Sequence, residues 1–187
     1  MMHYHATPED HAVLEKKGFL LVDSGATYMD GTTDITRTYP LGPLTEDEKR
    51  FYTWTLQSHI DLAKAVWLNY CECKMIDTIA REPLWRHLIN YRCGTGHSVS
   101  FVGNVHEGPH SLRGTNSVLM RPGMVVTDEP GVYETDLVGI RIENELVCVH
   151  KADNQYGTFL GFEPLMFVPI ATSPILPVCW IRTRSHG

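Results

Sequence analysis

The chain has 187 residues, 43% of them hydrophobic, enough for one ordinary domain or a piece of a larger one with a sizeable core. Sixteen basic residues against 22 acidic ones leave a formal charge of −6, and without a Lys/Arg cluster this excludes a nucleic-acid footprint. No apolar run reaches the roughly 20 residues that cross a bilayer, which excludes a membrane span.

The Met1-Met2-His3-Tyr4-His5 start lacks the charged and apolar regions of a secretory signal, so a cytoplasmic location is expected. Gly18 to Asp23 reads as a buried strand ending at a turn, and Thr33 to Tyr39 alternates as a second strand would. Tyr28-Met29-Asp30-Gly31 between them carries the Asp-Gly chemistry of a tight hairpin. In such a pair Asp23 and Asp34 are expected to face one another.

Thr45-Glu46-Asp47-Glu48 is a capping box, opening an amphipathic helix expected to run to about Trp67 with Phe51, Trp54, Thr55, Ser58, Leu62 and Ala65 on its buried stripe. A second helix is predicted over Met75 to Ile89, with Pro83 as a kink or interruption. The five cysteines form no even framework, which suits reduced thiols. Cys71, Cys73, Cys93 and His87 lack finger-like spacing, and inert thiols are expected there rather than structural zinc.

Arg92 to Val99 reads as a loop in which Gly94 and Gly96 let His97 approach a crowded neighbour. Val105 to Pro109 is a further turn. The apolar strand Met124 to Thr127 delivers Glu129 and stops at Pro130-Gly131. Gly139 to Val149 is predicted as one strand with Arg141, Glu143 and Glu145 on one face. Asp23, Glu129 and Glu143 all sit beside apolar residues, and buried carboxylates must be paired or metal-bound.

Several phrases together resemble the aminopeptidase P branch of the pita-bread metallopeptidases, which also include prolidase and methionine aminopeptidase. They are Val22 to Ala26, Asp30 to Thr38, Asn104 to Pro109, Asp128 to Tyr133, Gly139 to Asn144 and Phe162 to Leu165. The resemblance implies an α+β, creatinase/aminopeptidase-like fold and hydrolysis of an N-terminal Xaa-Pro bond by a hydroxide shared between two divalent ions. It also implies that Asp23 is a ligand of the first ion, that Asp34 and Glu143 bridge both, and that His97 with Glu129 completes the second. Glu129 would shuttle a proton to the proline nitrogen. His3 and His106 match the family's two non-ligand active-site histidines, and Arg141 would orient the carboxylates. Such a hard, oxygen-rich donor set favours Mn²⁺, with Zn²⁺ or Co²⁺ able to substitute.

Two departures temper this. Cys93 stands where the family carries a histidine, and Ser98 and Ser100 where it carries glycines. The chain also reads as an incomplete copy of the fold lacking its N-terminal elements, with 1–170 as the partial catalytic domain and 171–187 as a divergent tail. Expected partners are peptides with proline at position two and a possible second copy of the chain. A catalytically weak binding module and a prolidase-type dipeptidase are the alternatives.

Overall fold

The computed structural model describes Tyr4, residues 6–177 and Cys179. His3 lies outside the described residues. Its largest sheet has six strands in the order β3 (Val66–Leu68), β10 (Gly157–Pro164), β9 (Asn144–Asn154), β6 (Val125–Asp128), β4 (Gly96–Ser98) and β5 (Glu107–Leu112). Two hairpins complete the strands, β1 (Phe19–Tyr28) with β2 (Gly31–Pro40), and β7 (Gly131–Glu134) with β8 (Val138–Arg141). The helices are α1 (Glu46–Ala63) and α2 (Cys73–Trp85). No described helix is long and apolar enough to cross a membrane.

Strand alternation separates core from site. On β6 and β9 the side chains of Val126, Leu146 and Cys148 point toward the helices and join Leu62 of α1 and Ile76 and Ala80 of α2 in one buried cluster. Residues of opposite parity, Thr127 and its register partner Glu145, face the other way. A second cluster, Tyr52 and Leu56 with Val138, Ile140 and Ile142, fixes α1 against β8. Packing against α1 continues past residue 170: the Tyr52 hydroxyl donates to the Ala171 carbonyl at 2.7 Å, and the Leu176 amide donates to Thr53 Oγ1 at 3.0 Å.

Helix α1 starts as its sequence dictates, with Thr45 as N-cap and the reciprocal Glu48 bond in place. It stops at Ala63 rather than near Trp67, because Val66–Leu68 is captured as β3 by the edge of β10. Helix α2 begins two residues earlier than expected and ends at Trp85; Pro83 lies inside it and is buried. Strand β1 does not stop at Asp23 but runs on to Tyr28, and it is not the buried strand expected: Phe19, Leu20 and Leu21 are half-buried and the strand is exposed from Val22 onward. His97 sits on a short strand, not in a loop, and Glu107 opens β5 instead of closing a turn. The single strand expected from Gly139 to Val149 is two, broken at Ile142-Glu143, where the chain leaves β7 to pair with β6 and β10.

Several glycines face backbone too closely for any side chain, and Gly96 is the tightest of those described. A Cβ on Gly96 would stand 1.8 Å from the Thr127 carbonyl oxygen. Gly96→Ala is therefore expected to cost on the order of 4 kcal/mol, the upper end of single-substitution effects. Denaturant unfolding measures it, and a loss of only a few tenths would show that β4 and β6 do not pack this closely.

Candidate metal centre

Asp23 and Asp34 share a face of the β1–β2 hairpin but are not opposite one another. Asp23 pairs with Thr36 and Asp34 with Gly25, which sets the two carboxylates one diagonal step apart. His97 comes from β4, with its amide donating to Thr127 Oγ1 at 2.9 Å. Glu129 follows β6 directly, and its amide donates to the Thr95 carbonyl at 2.8 Å. Glu143 occupies the break between β8 and β9, where its amide donates to the Thr36 carbonyl at 3.1 Å.

The donor atoms of Asp34, His97 and Glu143 all lie within 4.8 Å of one another. His97 Nε2 is 3.4 Å from Asp34 Oδ2 and 3.2 Å from Glu129 Oε1. The ring is turned for this role, since Nδ1 lies 3.1 Å from the Ser98 carbonyl and a proton held there leaves Nε2 to face the carboxylates. Glu143 Oε2 accepts from Thr36 Oγ1 at 2.5 Å, while its Oε1 is buried with no partner. An orphaned, buried carboxylate oxygen beside an imidazole and a second carboxylate is an arrangement that a divalent cation satisfies.

Asp23 stands apart from this group. Its side chain is about half exposed (49%), contrary to the burial expected from Leu20-Leu21-Val22, and Arg141 Nη2 donates to its Oδ2 at 2.5 Å. Arg141 also donates to Thr36 Oγ1 and the Tyr133 hydroxyl, and its Nε is 3.9 Å from Glu129 Oε2. His106 is exposed, its ring centroid 4.0 Å from that of His97 at 70°. These residues line one cavity of about 690 Å³, with Cys93 and Tyr133 on its wall. Cys71, Cys73, Cys93 and His87 form no metal-holding group among the described residues; the His87 ring is stacked on Trp54 at 4.1 Å.

Sequence reasoning missed Thr36, Thr127 and Tyr133, the hydroxyls that hold the ionisable groups in place. Thr36 and Thr127 had a detectable signal: polar residues at the inward parity of a strand that also carries Asp34 and of one that leads directly into Glu129. Tyr133 had none beyond its place in β7.

Without ions the centre holds protons. Burial alone would lower the His97 pKa, but hydrogen bonds to Asp34 and Glu129 outweigh it and carry the group up to about 10. Burial, then the charges of Glu129 and Asp34, push Glu143 above the carboxylate range. Both folded-state values lie above the unfolded ones. Their stabilisation is complete in acid and is lost as pH rises toward about 10. Chelator-treated protein is thus expected to melt at lower temperature at pH 9 than at pH 6, with saturating Mn²⁺ removing that fall as ions take the place of protons. Metal-free protein that gains stability over this interval would contradict the assignment.

Residues 1–150 match the sequence profile of metallopeptidase family M24. The chain is 43% identical over 176 residues to a probable Xaa-Pro aminopeptidase P of Laccaria bicolor, covering 91% of this chain and 27% of that protein. It is 44% identical over 181 residues to aminopeptidase P2 of Arabidopsis thaliana, covering 94% and 25%. Its fold superposes on the X-prolyl aminopeptidase of Caenorhabditis elegans, described as a cytosolic enzyme with a di-nuclear active site. The TM-score is 0.79 at 38% identity, over 86% of this chain and 26% of that one. Prolidase from Pyrococcus furiosus matches with a TM-score of 0.69 at 28% identity, over 82% and 42%. The α+β, pita-bread architecture is thereby shown, and the chain spans about a quarter of the length of the curated relatives it matches.

Proposed function

The chain belongs to metallopeptidase family M24, and from that membership and the cavity's geometry we propose that it carries a two-ion peptidase centre that removes an N-terminal residue preceding proline. The convergence of Asp34, His97 and Glu143, with a buried Glu143 oxygen lacking a partner, is the observation that carries this reading. Asp34 and Glu143 would be shared by two divalent ions, His97 and Glu129 would complete one, and Asp23 would serve the other through the oxygen that Arg141 does not hold. Four carboxylates and one imidazole favour Mn²⁺ over Zn²⁺ or Co²⁺. The ions would supply Lewis-acid charge and bring the pKa of a water in the site toward neutrality.

The remaining work belongs to the chain. Glu129 would move a proton to the proline nitrogen, a leaving group whose amide has no N–H of its own. His106 would hold the scissile carbonyl, a role supported by its contact with His97, and His3 would be the second such histidine. Arg141, tied to Thr36 and Tyr133, would keep Asp23 and Glu129 oriented. Residues 1–170 would form the catalytic unit, with 171–187 as an appended tail. Substrates would be peptides with proline at position two, in the cytoplasm, with neither nucleic acid nor membrane involved. Self-association is also proposed, since β1 pairs only with β2 among the described residues and leaves its other edge free. Sedimentation at micromolar concentration should show a species larger than the monomer; a monomer alone would contradict it.

A weak or inactive module is the second reading. Cys93 on the cavity wall favours it. An assay of metal-loaded protein on an Arg-Pro-Pro-type tripeptide and an Xaa-Pro dipeptide separates the readings. Release of the tripeptide's first residue is expected. Two bound ions with no release would establish the module, and cleavage of the dipeptide alone would establish a prolidase-type activity.

A further inference from the structure

Among the described residues no hydrogen bond or ion pair links helix α2 to a candidate ligand, yet the helix carries an ion pair between a buried carboxylate and a largely covered arginine. Asp77 is 1% exposed, and Arg81 Nε donates to its Oδ2 at 2.7 Å. The rest of both side chains is directed at the segment that leads into His97. Thr95 Oγ1 donates to Asp77 Oδ1, and the Tyr91 hydroxyl lies 2.5 Å from the same Thr95 oxygen. Arg81 Nη1 donates to the Tyr91 carbonyl at 2.8 Å and Nη2 to the Cys93 carbonyl at 2.9 Å, with the guanidinium 4.2 Å above the Tyr91 ring. The backbone of Thr95 is equally committed, its amide donating to the Leu112 carbonyl at 2.7 Å and its carbonyl accepting from the Glu129 amide at 2.8 Å.

We propose that Asp77 and Arg81 are positioning residues for the metal centre: by clamping residues 91–95 onto α2 they set the place of His97, two residues on, and of Glu129, which hangs from the Thr95 carbonyl. The inference rests on the two-ion reading. A buried Arg–carboxylate pair is weak evidence of stabilisation, because desolvation offsets much of its attraction. The Arg81 fork instead spans the Tyr91 and Cys93 carbonyls, two residues apart in an otherwise irregular segment, a geometry that fixes position. Removing either partner would free a segment whose displacement by a fraction of an ångström moves two donors at once. Partners that orient ligands in this way are typically worth about 10- to 100-fold in metal affinity.

The test compares the parent with Asp77→Asn, Thr95→Val and Thr95→Ser, and with Leu160→Ala, a core variant on β10 that lowers Tm without touching the clamp. Mn²⁺ affinity is read by competition with a chelating indicator, and hydrogen exchange of the Thr95 and Glu129 amides is read on metal-free protein. Asp77→Asn and Thr95→Val should each weaken Mn²⁺ binding roughly tenfold or more and accelerate exchange at both amides. Thr95→Ser, which keeps the hydroxyl, should restore parent values, and Leu160→Ala should leave affinity within about twofold despite its lower Tm. Should Asp77→Asn not fold, the Thr95 pair decides. Parent-like affinity and exchange in Thr95→Val, or an equal loss of affinity in Leu160→Ala, would overturn the proposal. A parent that binds no Mn²⁺ overturns the two-ion reading instead, and unaltered amide exchange in the variants would then overturn the clamp separately.

Discussion

Asp34→Asn is expected to strip both ions from the protein rather than one. The carboxylate lies 3.4 Å from His97 Nε2 and within 4.8 Å of a Glu143 oxygen, so it can reach an ion that either of them holds. Asparagine keeps the shape but removes a negative charge and one of the two anionic oxygens, and a shared ligand serves two ions at once. Affinity should fall by about 10²-fold or more at each site, and any peptidase activity by roughly 10³-fold, because the ions provide the charge that the reaction requires. Elemental analysis after dialysis measures the first effect. A full complement of two tightly held ions in Asp34→Asn would show that this residue is not shared.

Much of the local structure is legible in the residues themselves. Thr45 and Glu48 announced the start of α1 because a capping box is local, and Asp30-Gly31 announced the hairpin for the same reason. Long-range pairing set what was not legible. The end of α1 depended on β10 capturing Val66 to Leu68, and the division of Gly139 to Val149 depended on two different partners competing for one stretch of chain. Neither is written in a window of ten residues.

The site divides similarly. Asp34, His97, Glu129 and Glu143 could be named from their phrases, and they do converge. Asp23 could be named, and Arg141 beside it, but not its exposure: the apolar run before it suggested burial, whereas β1 overruns it and leaves it half exposed against Arg141. Arg141 reaches Asp23 across 118 positions of sequence, a pairing that only the stacking of the β1–β2 hairpin beside β8 creates.

Removing His106 should separate catalysis from metal binding. Its ring meets His97 edge to face at 4.0 Å and lines the same cavity, but it does not belong to the group that could hold an ion. In His106→Ala, metal content should stay close to that of the parent while kcat falls by something like 10²-fold, the scale of one lost proton donor or oxyanion partner. A matching loss of metal would recast the residue as a support for His97. Unchanged turnover would remove it from the mechanism, leaving the centre intact without it.

The central claim is that this chain by itself assembles a two-ion centre, and Mn²⁺ titration of metal-free protein followed by electron paramagnetic resonance addresses it most directly. Two ions held by the Asp34 and Glu143 carboxylates in common would be close enough for their spins to couple, as in other centres with ions about 3.5–4 Å apart. The account predicts uptake of two ions per chain and replacement of the six-line signal of isolated Mn²⁺ by a coupled spectrum. Saturation at one ion, or two ions that keep the isolated signal, would contradict it.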